Sequence, residues 1–291
     1  MKIELMEIEI PYNGVIERIE FPDNVALLEA KSFPILNSET VVRKIEEGWE
    51  KAKNLFHAKK VSIIVNDGTR RVPTAAILKV LSRSIPIEQI EILVATGTHR
   101  APTERELDTI FGDLRDTLEN RVFVHDCHAT ENTVTLGKTS RGTLVAVNKK
   151  LIEAESVICI NSVEPHFFAG FTGGRKSLVP GLASFGTVVA NHSHAKSEHA
   201  ESMNLEGNPV HLDLAEAAEM AVRMPVFSIQ LVLSRDGDIV DLYCGDLRGS
   251  FEEACRKAKD VYSVEIEKKY DIVFAVGEPP LDANLYQLQK G

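Results

Sequence analysis

Val61-Ser62-Ile63-Ile64-Val65, followed at once by Asn66-Asp67-Gly68-Thr69-Arg70-Arg71, is the stretch from which the fold can be read. The run is of strand length, is rich in β-branched residues and stops in a polar, glycine-containing turn. The same pattern recurs at Ile90-Glu91-Ile92-Leu93-Val94, at Val122-Phe123-Val124 and at Ser156-Val157-Ile158-Cys159-Ile160. Amphipathic segments of helix length accompany these runs. Val41, Val42, Ile45, Trp49, Ala52 and Phe56 fall on one helical face with Ser38 as the expected N-cap, and Leu247, Phe251, Ala254, Ala258 and Val261 form a second stripe. Strands alternating with helices predict an α/β fold with a largely parallel, Rossmann-like sheet and flanking helices.

Two stretches depart from that alternation. Residues 134–147 hold two short strand-like pieces around Thr139-Ser140-Arg141-Gly142, which predicts an inserted hairpin. Residues 263–270 turn charged, and Asp271-Ile272-Val273-Phe274-Ala275-Val276 then predicts a new buried strand. The expected organisation is one α/β domain over residues 1–265 and the first strand and loop of a truncated second α/β domain over residues 270–291.

With 33 Lys and Arg against 43 Asp and Glu, the formal charge is −10, so the surface as a whole repels a polyphosphate and nucleic acid is not an expected partner. Cys127, Cys159, Cys244 and Cys255 form no C-x-x-C pair, which fits a reducing compartment and argues against a zinc-thiolate site. The first residues lack a basic region followed by an apolar run, and no stretch approaches the roughly 18 apolar residues of a membrane span. The expectation is a cytoplasmic chain without membrane contact.

In open parallel sheets ligands bind beyond the carboxyl ends of the strands, and each strand end here carries reactive side chains. Asp67 and Arg70 are either a strand-to-turn ending with a solvated arginine or an anion-capturing pair, since guanidinium presents a fixed fork to a carboxylate. His99, after Gly97 and before a Thr103-Glu104-Arg105-Glu106 helix start, is a general-base candidate. His125 and His128 read as surface or structural histidines.

The richest stretch runs Glu164-Pro165-His166-Phe167-Phe168-Ala169-Gly170-Phe171-Thr172-Gly173-Gly174-Arg175-Lys176-Ser177. A phosphate-loop reading fails because position 175 is Arg where Gly is needed. What survives is either a structural turn or an anion cradle. In the cradle, Gly173 and Gly174 bring backbone N–H groups close, and Arg175, Lys176 and Ser177 add charge and a hydroxyl. Beyond it, His192, His194 and His199 are either metal ligands or members of a polar loop, and their spacing names no metal.

Taken in order, Asp67-Gly68-Thr69-Arg70, Gly97-Thr98-His99-Arg100, Glu164-Pro165-His166, Ala169 to Lys176, Asn191-His192-Ser193 and Tyr286-Gln287-Leu288-Gln289-Lys290 resemble the nickel-pincer lactate racemase family of 2-hydroxyacid racemases and epimerases. The resemblance implies a cofactor, a pyridinium bis-thiocarboxylate mononucleotide that clamps nickel, tethered to Lys176 as a thioamide with Gly173, Gly174, Arg175 and Ser177 beside it. It implies His192 as the protein's nickel ligand and His99 and His166 as acid/base residues. Arg70 and Lys290 would hold the substrate carboxylate, supported by Asp67 and Gln287. Residues 1–265 would then be the cofactor-binding domain, the substrate a small 2-hydroxyacid, and cofactor-synthesis proteins the partners that load the site.

The chemistry is coherent, because deprotonating a 2-hydroxyacid at carbon builds up negative charge beside a carboxylate, whereas removing that hydrogen as hydride does not. The family has a full second domain over its cofactor, so a chain ending at Gly291 is expected to close incompletely and to show little activity by itself. Two other readings use the same residues. One is a non-catalytic nucleotide- or phosphate-binding α/β module. The other is a zinc-dependent hydrolase built on His192, His194 and His199, which lacks an obviously placed glutamate base.

Overall fold

The structure, a computed structural model, describes residues 5–12, 15–22, 25, 26, 28, 31–56, 60–266 and 268–274. The chain divides into two units, Phe33–Val261 and a second made of Met1–Ser32 with Tyr262–Gly291. In the second unit, β1 (Leu5–Tyr12) pairs antiparallel with β2 (Val15–Pro22), Phe21 packs its ring edge against Phe274 at 5.5 Å, and Lys31 pairs with Glu265. The strand expected from Asp271 is not formed over 271–274. Ile272, Val273 and Phe274 are exposed there, with no paired strand to cover them; residues 275–291 lie outside the described residues.

In the Phe33–Val261 unit, α1 (Ser38–Ala52), β3 (Val61–Asn66), α2 (Thr74–Leu81), β4 (Ile90–Ala95), α3 (Glu104–Phe111), α4 (Arg115–Leu118) and β5 (Val122–Val124) come first. The inserted hairpin follows as β6 (Thr133–Lys138) and β7 (Leu144–Asn148), antiparallel as expected. Next are α5 (Lys149–Glu153), β8 (Val157–Ser162), β9 (Pro165–His166), β10 (Gly170–Phe171), α6 (Phe185–His192), α7 (Pro209–Ala221), β11 (Val226–Leu233), β12 (Ile239–Gly245) and α8 (Leu247–Tyr262).

Six strands form the central sheet in the order β12-β11-β8-β3-β4-β5, parallel except for β12. Successive residues of a strand point to opposite faces. Ile63 and Val65 accordingly join the core with Ile45 and Trp49 of α1 and Ile77 and Leu81 of α2, whereas Ile64 and Leu93 meet Leu178, Leu182, Val188 of α6 and Leu214 of α7 on the other side. Both faces are covered, which is why these strands read as continuous apolar runs. Each fully buried Ile or Leu here contributes about 1.5–3 kcal/mol.

The expected stripe of α1 is correct, but its cap is not: Asn37 is the N-cap, its side chain accepting from the Thr40 amide, and Ser38 is the first helical residue. The same oxygen-to-amide bond is within reach of either side chain, so the sequence alone leaves the boundary one residue uncertain.

Candidate active site

The chain passes from β3 through β4 to β5 on one side and starts again at β8 on the other, so a topological switch point lies between β3 and β8. Three loops leave neighbouring carboxyl ends there. The loop after β3 carries Asp67 and Arg70, that after β4 carries His99, and that after β8 carries Glu164 and His166.

Asp67 is buried, and its Oδ2 lies 2.7 Å from His99 Nδ1. Its other oxygen accepts from the Thr69 amide at 3.0 Å and from the Thr69 hydroxyl at 2.6 Å. Burial alone would raise this carboxyl, but the hydrogen bond and charge of His99, with the two bonds from Thr69, outweigh it and hold the group below its ordinary range. An ionised carboxylate only accepts, so His99 Nδ1 donates, and whenever the ring is neutral the lone pair lies on Nε2. The His99 side chain is 40 % exposed. Gly97, at φ +56°, turns the chain tightly before His99 and donates to the Gly181 carbonyl. The Thr103–Glu106 capping box then starts α3, as the sequence predicts.

Arg70 donates from Nη1 to Glu164 Oε2 at 2.9 Å, and Glu164 Oε1 accepts from the Ser162 hydroxyl at 2.8 Å. The pair is half-buried. It leaves Arg70 Nε and Nη2 without partners among the described residues, which are the donors a carboxylate needs.

His166 stands on β9, and its Nδ1 accepts from the Ala169 amide at 3.3 Å. Its ring meets the edge of Phe168 at 4.6 Å, and the same phenyl ring meets His192 at 4.9 Å. His192, the last residue of α6, is pushed down to about 4 by burial and by the charge of Lys176, so it is neutral at pH 7. Its Nδ1 lies 3.1 Å from Asn191 Oδ1, and Nε2 has no partner among the described residues. Lys176 is half-buried, near enough for its ammonium to act on that ring.

The residues flanking Lys176 are engaged within the fold. Arg175 is buried and donates to the Phe171 and Ala169 carbonyls at 3.2 and 2.9 Å, with its guanidinium over the Phe251 ring. Burial pushes it down to about 10, still a cation at neutral pH. The Gly174 amide donates to Gln230 Oε1 at 2.9 Å, and the Ser177 hydroxyl accepts from the Asn161 amide. Gly173 and Gly174 have φ of +78° and +53°; a Cβ would sit 2.6 Å from Val163 Cγ2 at the first and 2.6 Å from the Phe251 ring at the second. Close packing therefore accounts for both glycines.

His125 is a buried structural histidine, held by the Ala183 carbonyl and Asn148, whereas His128 is exposed and lies tilted against the Phe185 ring. Among the described residues no three His, Cys, Asp or Glu side chains converge on a metal position, which leaves the zinc reading of His192, His194 and His199 without a ligand set. Gln287 and Lys290 lie outside the described residues. The sequence reading missed Phe168 as a spacer and Asp213 as a partner of Asn191. Asp213 had a signal, since it stands among Val210, Leu214, Ala217 and Ala221 on the buried face of α7. A cavity of about 1010 Å³ between α7 and α8 is lined by groups such as Leu212, Ala215, Leu247 and Phe251 and holds none of His99, His166 and His192. Reactive groups, not volume, decide the assignment. No helix among the described residues is long and apolar enough to cross a membrane.

Comparison with known proteins gives a consistent result. The family profile described as the lactate racemase N-terminal domain matches residues 15–204. A lactate racemase of Thermoanaerobacterium thermosaccharolyticum is 33% identical over 303 residues, covering 99% of this chain and 70% of its own. One from Lactiplantibacillus plantarum is 36% identical over 263 residues, covering 87% and 61%. The solved lactate racemase apoprotein of the Thermoanaerobacterium species superposes with a TM-score of 0.78 at 32% identity, over 89% of this chain and 63% of that one. A crystal structure of a protein from Thermotoga maritima gives 0.65 at 25% identity, over 80% and 59%. The chain thus spans between 59% and 70% of the length of these relatives.

Proposed function

The chain belongs to the lactate racemase N-terminal domain family, and on that premise we propose that it supplies the acid/base residues, the nickel ligand and the tethering lysine of a 2-hydroxyacid racemase, lactate being the first substrate to test. The carrying observation is a group of contacts formed by the residues the resemblance names: Asp67 on His99, Arg70 on Glu164, and His166 and His192 both against the Phe168 ring, with Lys176 acting on His192.

The residues fit the nickel-pincer group that the resemblance implies. A neutral imidazole with Nε2 partnerless among the described residues is a suitable nickel ligand. His192 would hold the nickel and Lys176 the organic part, through a thioamide. When bound, that group supplies a reversible acceptor for the hydride on the substrate's C2.

The chain's own groups do the rest. Arg70 holds the substrate carboxylate with the two guanidinium nitrogens left by Glu164. His99 Nε2 takes the hydroxyl proton, and Asp67 stabilises the imidazolium that forms. His166, held by the Ala169 amide, serves the mirror-image substrate. Phe168 packs against both His166 and His192. A 2-hydroxyacid thus becomes a planar 2-oxo acid, and either of its two enantiotopic faces can receive the hydride once that intermediate has reoriented in the site. Loading by cofactor-synthesis proteins belongs to the same reading.

Incubating the purified chain with preformed cofactor and measuring intact and peptide masses tests it. An adduct on Lys176, lost in Lys176→Ala, is the expected result; an adduct that persists in Lys176→Ala, or none in the wild-type chain, overturns it.

A further inference from the structure

Asn191 and Asp213 are both fully buried, and neither belongs to the reacting set described above. Asp213 accepts from Thr139 Oγ1 at 2.5 Å on one oxygen and from Thr143 Oγ1 and Asn191 Nδ2, each at 2.8 Å, on the other. The two threonines stand in the turn of the inserted β6–β7 hairpin. His194 Nε2 lies 3.9 Å from the same carboxylate. Asn191 Nδ2 has a second acceptor in the Val210 carbonyl at 3.2 Å.

With both protons of its amide directed at acceptors, Asn191 has only Oδ1 to offer His192 Nδ1, 3.1 Å away. A carbonyl oxygen accepts, so Nδ1 carries the proton and the lone pair lies on Nε2. A reversed amide would present N–H to Nδ1, move the ring proton to Nε2 and remove the donor a metal needs. Hydrogen bonding of the second ring nitrogen is the general device that orients a ligating histidine.

We propose that Asn191, locked by Asp213, is the positioning residue that fixes the tautomer and orientation of His192 before any metal arrives. The purpose of this arrangement rests on the reading of His192 as nickel ligand, but the arrangement itself is measurable in the cofactor-free chain.

Long-range ¹H–¹⁵N correlation spectra of the full chain, with the His192→Asn spectrum identifying the ring, report the tautomer directly. Wild-type His192 is expected to be protonated at Nδ1 and unprotonated at Nε2. Asn191→Leu removes the acceptor and is expected to move the ring to the Nε2-protonated form, whereas Asp213→Asn, which keeps the size of the side chain but can turn N–H toward the Asn191 amide, is expected to leave a mixture of the two forms. In cofactor-loaded protein, loss of nickel to a chelator is expected to be about 10- to 100-fold faster for Asn191→Leu. Nε2 protonation in the wild-type chain overturns the proposal even if Asn191→Leu does not fold, and so does the wild-type tautomer persisting unchanged in both variants. A chain that takes no adduct on Lys176 removes the functional reading, and the tautomer spectra still decide this one.

Discussion

Asp67 Oδ2 and His99 Nδ1 stand 2.7 Å apart, and the carboxylate is buried while the ring is open to solvent. The pairing leaves only Nε2 of His99 able to take a proton. Asp67→Asn keeps the shape but can present N–H to the ring, which would put the ring proton on Nε2. In cofactor-loaded protein kcat is expected to fall about 10²- to 10⁴-fold with KM little changed. Steady-state kinetics check this, and retention of more than a tenth of the activity would count against Asp67 as the orienting group.

Arg70 divides its guanidinium between Glu164 and the space above β3. Lysine has a single charged head and cannot serve both. Arg70→Lys is expected to raise KM for a 2-hydroxyacid about 10- to 100-fold, the worth of a hydrogen bond between charged groups, with a smaller effect on kcat. An unchanged KM would move the carboxylate site elsewhere.

The glycines before Lys176 make a structural prediction. Gly173→Ala meets a Val163 methyl at 2.6 Å and the Ser162 carbonyl at 2.9 Å while holding φ at +78°, so it is expected to lose at least about 1–3 kcal/mol. Gly186 in α6 has nothing within 4 Å of an added Cβ, and Gly186→Ala is expected to be neutral or stabilising by up to about 1 kcal/mol. Denaturant titration compares them, and similar midpoints would contradict the packing argument.

Acid should weaken the fold before the carboxylates titrate. Burial, then the charges of Arg175 and Arg248, push His211 down to about 3, and burial also lowers His125 against its bond to the Ala183 carbonyl. An unfolded histidine binds a proton near pH 6.5. Below that pH the unfolded chain holds more protons than the folded one, so the stability present above about pH 6.5 is lost as pH falls toward the folded values. Melting temperature is expected to drop between pH 7.5 and 5, and less steeply in His211→Gln. Parallel slopes for the two proteins would remove His211 from the account.

How much of this was legible in the sequence depended on range. The strands at Val61, Ile90, Val122 and Val157 and the β6–β7 hairpin were readable because burial on both faces and a polar turn leave local marks. The β1 and β2 strands flank an Asn13-Gly14 dipeptide between alternating runs, which is a local mark of a hairpin. The strand expected from Asp271 is not formed over 271–274, and the rest of that expectation lies outside the described residues. At the site, Asp67 and His99 were each marked by a strand end, whereas their contact bridges 32 residues. Arg175 was misleading in a different way: a cation in a glycine loop suggests an anion, and only the structure shows it turned toward carbonyls.

That inward arginine has a mechanical consequence. Its guanidinium is held by the Ala169 and Phe171 carbonyls, which ties position 175 to the preceding loop and leaves the next residue pointing from an anchored stretch. Whatever Lys176 carries therefore swings on a leash of four methylenes, and the reach of its cargo is set by one side chain rather than by the wandering of a loop.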